Sequence, residues 1–144
     1  MAAEEMREEH RRPAGASDAD VGGAGKMTEA LERLERARGH LYTFHQLMGE
    51  TDLLLDEVVE ALERAGRDEL IDRLRTDLIG RNVLDGRWSF QIVEEFDDTY
   101  WSRFREHERA LREALTAGRR HVAEAEMKQR RRTHGRDTHE AEPP

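Results

Sequence analysis

The chain has 144 residues and a formal net charge of −8, with 39% of its residues charged and 36% hydrophobic. That size holds one ordinary domain, and the low apolar share leaves part of the chain outside any core. The absence of cysteine excludes disulfides, thiolate metal sites and cysteine nucleophiles. No apolar run approaches the roughly 18 residues of a membrane span, and no signal-like segment follows Met1, so a cytoplasmic protein is expected.

Residues 1–26 are rich in glycine and small side chains and offer little beyond Val21 to bury. Composition assigns them to a disordered N-terminal tail, residues 27–130 to a helical domain and residues 131–144 to a disordered C-terminal tail. The fold class expected is all-α, a long helical hairpin or small helix bundle with disordered termini.

The first helix is predicted over about 28–65, capped by Thr28 and closed at Gly66. With Leu34 at heptad position a, Leu41, Met48, Leu55 and Leu62 follow at a, while Ala30, Ala37, Phe44, Thr51, Val58 and Ala65 occupy d. The seam keeps its phase across Gly49. One long helix is therefore preferred, with a kink at Gly49 as the competing reading. A short helix, about 69–79, carries Leu70, Ile71, Leu74 and Leu78 on one face and ends at Gly80. A loop through Arg81 and Arg87 leads to a third helix, about 90–117, capped by Ser89. Its seam reads Phe90, Val93, Asp97, Tyr100, Phe104, His107, Leu111 and Ala114. A last helix runs from Arg119 to about Gln129.

The Gly66 turn makes the first two helices antiparallel. Whether the third folds back or continues in the second one's direction stays open; in the second case an aromatic core forms beside Tyr42 and Phe44. Such a hairpin buries one stripe per helix, and pairing of two chains is the favoured way to thicken the core. The expected interface is Leu34, Leu41, Met48, Leu55 and Leu62, with Trp88 and Trp101 as aromatic anchors.

Polar residues interrupt these seams. Asp97 and His107 lie in the third helix's stripe, and His45 and Asp52 lie one step from the first. Buried alone they would cost several kcal/mol, so each needs a partner or solvent. A hydrogen-bonded polar core is the first reading of His45, Asp97 and His107. A metal or small-ligand site between helices one and three is the second. The Glu-x-x-His pairs of di-iron bundles and the His-Glu-x-x-His motif are both absent. Arg81 and Arg87 are a further candidate, gripping either a carboxylate or phosphate ligand or the acids at Glu94, Asp97 and Asp98. No nucleophile motif surrounds Ser17, Ser89 or Ser102, so no catalytic residue and no cofactor are assigned. The basic run Lys128, Arg130, Arg131, Arg132 and Arg136 lacks aromatics. With an acidic middle it argues against nucleic-acid binding.

The stretch Leu84-Asp-Gly-Arg-Trp-Ser-Phe-Gln-Ile-Val-Glu-Glu-Phe-Asp-Asp-Thr-Tyr-Trp101, with Arg119-Arg-His-Val-Ala-Glu-Ala-Glu-Met-Lys-Gln-Arg-Arg-Arg-Thr-His-Gly135, resembles a family of small actinobacterial helical proteins without assigned function. The resemblance covers about residues 28–135 and implies no activity, cofactor or site residue. The expectation is a non-enzymatic protein–protein interaction or assembly protein, a homodimer with a possible protein partner. The alternative is a metal- or small-ligand-binding helical protein.

Overall fold

A computed structural model describes residues 4–142. The fold is all-α, and no described helix is long and apolar enough to cross a membrane. The chain ends expected to be disordered reach residues 1–3 and 143–144, which lie outside the described residues.

Helix α1 spans Asp18–Arg64 without a break at Gly49. It starts at Ser17, whose hydroxyl accepts from the Asp20 N–H at 3.0 Å while Asp20 accepts from the Ser17 N–H at 2.9 Å. This reciprocal pair satisfies two amide N–H groups at the helix start. Thr28 is therefore an interior residue, its hydroxyl donating to the Ala24 carbonyl at 3.1 Å. The glycines around 22–25 read as helix breakers from composition, yet they serve a close approach. A Cβ on Gly25 would stand 2.8 Å from the Ala123 Cβ. At the other end Gly66 takes φ +68°. Arg67 donates back to the Leu62 carbonyl and Gly66 to that of Glu63, which closes the helix.

Helix α2 spans Asp68–Asp77. The expected third helix is three pieces: α3, Ser89–Phe96; a π-helical turn, Asp97–Trp101; and α4, Ser102–Thr116. Ser89 is not its cap but its buried first residue. The Trp88 N–H donates instead to the Gln91 side chain at 2.8 Å. The last helix, α5, spans Val122–Arg131.

Two compact units form. In the unit of Glu35–Trp101, Asp52 accepts from the Gly80 N–H at 2.9 Å and Arg75 lies 3.6 Å from Glu63, so α2 runs antiparallel to α1. His45 meets Ser89 and Arg38 meets Asp97, so α3 also runs antiparallel to α1 and continues the direction of α2. Val59, Ile71 and Val93 are the buried apolar residues here.

The other unit holds the residues up to Leu34 and from Ser102 onward, with Val21, Thr116 and Val122 buried. Segments read as tails from composition make polar contacts in it. Glu4 accepts from Arg132 at 2.9 Å and from the Gly135 N–H at 2.7 Å. His10 lies 2.6 Å from Glu142, and Arg12 donates to Glu126 at 3.0 Å. Apolar counting is blind to such contacts, because they are made by charges.

The seams need one correction. Along α1 within the Glu35–Trp101 unit, Leu41, Met48, Leu55 and Leu62 are half-buried as expected. Their companions are Arg38, His45, Asp52 and Val59, whereas Phe44, Thr51 and Val58 face outward. The third helix shows the same swap. Phe90, Tyr100, His107 and Ala114 are exposed, while Ser89, Phe96, Trp101, Glu108 and Leu115 turn inward. The expected aromatic core does not close, because Tyr42, Phe44, Trp88, Phe90 and Tyr100 all remain exposed.

Candidate functional site

The inner stripe of α1 holds polar groups because each finds a partner. The Arg38 guanidinium donates twice to Asp97, Nε to Oδ1 at 2.8 Å and Nη2 to Oδ2 at 3.0 Å. The π-helical turn carries Asp97 to this position, and the two-pronged geometry is the strong form of the pair. Arg38's hydrogen bonds hold the Asp97 carboxyl below its ordinary value, against the opposing effect of burial. The same guanidinium lies 4.0 Å from the centre of the Trp101 ring and 5.0 Å from that of Tyr42. Trp101 in turn donates its indole N–H to Glu35. One arginine thus ties two aromatics and an aspartate across two helices.

His45 Nδ1 lies 2.7 Å from the Ser89 hydroxyl. Asp97 and His45 therefore sit on one helix-helix seam but keep separate partners. His107 is exposed and belongs to the other unit. Arg81 pairs with Asp77 at 2.7 Å and Arg87 with Glu95 at 2.7 Å. Arg87 does reach the acid-rich stretch, through Glu95 rather than the expected Glu94, Asp97 or Asp98. Arg81 reaches back to its own helix end. Among the described residues no three His, Asp or Glu side chains stand close enough to hold a metal ion. The basic run is also committed in part. The Arg132 side chain is fully enclosed and bonded to Glu4.

Two features were missed. The first is a cleft of about 510 Å³ lined by Met48, Leu55, Leu78, Val83 and Trp88, with Asp52 and Arg81 on its wall. The sequence offered Leu78 on the apolar face of the second helix and Val83 in the loop after it, and those two positions are the available signal. The second is the outer face of α1. Phe44, Leu47, Leu54 and Val58 are 40%, 54%, 57% and 42% exposed. With Thr51, Ala61 and Ala65 they recur at three- and four-residue steps, a second heptad stripe beside the inner one. The expected interface residues Leu41, Met48, Leu55 and Leu62 instead face their own unit, Leu34 is half-buried in the other, and Trp88 stays exposed.

Compared with protein-family models, curated proteins and solved structures, the chain matches none. Its residues are therefore read from their own chemistry.

Proposed function

We propose that this chain is a non-enzymatic helical protein–protein interaction or assembly protein of the cytoplasm that works as a homodimer. The reading rests on one observation. α1 turns its more polar stripe inward and leaves the more apolar stripe, Phe44, Leu47, Leu54 and Val58, in solvent. Contiguous exposed apolar surface of this kind is the ordinary mark of a docking face. The individually partnered states of Arg38, His45 and Asp97 support a structural rather than a catalytic role for them.

The test is photo-crosslinking in the producing cells, with a photoreactive residue at Leu47 or Leu54. A discrete crosslinked protein product, absent when the probe replaces exposed Glu60, is expected. No product from either stripe position removes the reading.

A second reading, binding of a small apolar ligand, is favoured by the cleft beside Trp88, whose volume is in the range of ligand sites. Native mass spectrometry of the purified full-length chain separates the two. Reproducible organic mass on each chain, lost in Leu55→Asp, supports the ligand.

A further inference from the structure

We propose that the occupant of the outer α1 stripe is a second copy of this chain, docked antiparallel about a twofold axis near Glu57. This rests on the assembly reading and adds the surface at which the two copies meet, their direction and their register.

The stripe from Phe44 to Ala65 is about 32 Å long at 1.5 Å per residue, three heptads along α1 and the residue that follows it. Its only polar member is neutralised locally. The Thr51 hydroxyl donates to the Leu47 carbonyl at 2.7 Å, which leaves the methyl group to face a partner. Its larger residues, Phe44, Leu47 and Leu54, lie toward its N-terminal half and its smaller ones, Val58, Ala61 and Ala65, toward its C-terminal half. When a second copy is laid head to tail, Leu47 falls opposite Ala65, Thr51 opposite Ala61, and Leu54 opposite Val58. Each layer occurs twice by symmetry, and each pairs a larger side chain with a smaller one, as interdigitated seams require.

Charge selects the direction. The residues flanking the stripe on the side away from the chain's own helices are Glu50, Glu57 and Arg64. All three are exposed, and none has an ion pair among the described residues. On the opposite flank stand Met48, Leu55 and Leu62, which face their own unit. Parallel helices would set each charged flank against that apolar flank and pair nothing. Antiparallel helices set charged flank against charged flank. In the register above, Glu50 of each copy meets Arg64 of the other, at the cost of one Glu57–Glu57 contact on the axis. Sliding by one heptad in one direction brings Glu50 against Glu57 on both sides and loses both attractions. Sliding in the other pairs Glu57 with Arg64 but gives up the Leu47–Ala65 and Thr51–Ala61 layers, keeping only Leu54–Ala65 and Val58–Ala61. Charge and seam length together therefore choose the register.

Sedimentation velocity on the full chain tests this. The wild type is expected to associate to two copies. Glu50→Arg and Arg64→Glu should each weaken association roughly tenfold, since each turns two attractive contacts into repulsive ones. The double exchange Glu50→Arg with Arg64→Glu should restore it, and Glu57→Gln should tighten it. All these sites are exposed, so helix content by circular dichroism should not change. A cysteine-free background allows a second readout. An equimolar mixture of Leu47→Cys and Ala65→Cys chains should form the mixed disulfide on oxidation. A product dominated by Leu47→Cys pairing with itself would mean parallel helices and would overturn the proposal. So would association indifferent to the charge exchanges. A monomeric wild type overturns it too. If crosslinking in cells then still traps a different protein, the assembly reading survives without the homodimer.

Discussion

At the scale of single residues, the molecule relies on charged side chains for work that apolar ones do in thicker proteins. Glu4 shows the consequence for pH. Bonds from Arg132 and then from the Gly135 N–H lower its pKa from 4.5 to about 2. A carboxylate depressed in the folded state stabilises fully above its unfolded value and loses that contribution as pH falls through the folded one. The Glu4–Arg132 contact should thus stabilise fully above pH 4.5 and lose that contribution as pH falls through about 2. In Arg132→Met, the midpoint of the Glu4 carboxyl carbon observed by NMR should rise from about 2 toward 4.5, short of it while the Gly135 N–H still donates; an unmoved midpoint would show that Arg132 does not hold it. Sequence reading flagged Asp97 and His45 as polar groups needing partners, and both have them. It did not identify Arg38 or Ser89 as those partners, because the bonds span 59 and 44 residues and no local pattern encodes such pairs.

At the scale of elements, the helix stops were readable and the helix start was not. Gly66 and Gly80 take φ of +68° and +74° where the apolar period ends, and a positive φ is a local demand that glycine meets. The start at Ser17 was hidden by glycines whose role is tertiary. Two glycines of α1 should therefore respond oppositely to alanine. Gly49 has no atom near its would-be Cβ, so Gly49→Ala should stabilise by about 0.5–1 kcal/mol through helix propensity. At Gly25 the new methyl meets Ala123 at 2.8 Å, and Gly25→Ala should destabilise by about 1–3 kcal/mol despite the same propensity gain. Urea denaturation of the two variants checks the signs. The seam positions Leu41, Met48, Leu55 and Leu62 were legible as well. Which neighbouring stripe joins them was not, since apolar counting favours Phe44 and Val58, while hydrogen bonds from distant residues draw Arg38, His45 and Asp52 inward.

At the scale of the whole chain, five apolar side chains are buried among the described residues, a small core for this length. Association through the outer stripe would then contribute visibly to stability, and the melting temperature should rise with protein concentration. A melting temperature unchanged over roughly a hundredfold range of concentration would count against self-association. The contact between Gly25 and Ala123 reaches further than its own energy. The gap there holds one methyl group, and the chain places it on α5. Sliding α1 by four residues along its neighbour would present Val21 or Glu29 to that gap, each with a side chain where Gly25 has none. The missing side chain at 25 thus acts as a notch that favours the observed alignment of the two helices. A chain carrying Gly25→Ala together with Ala123→Gly should recover the lost stability by moving the methyl to the other side of the notch.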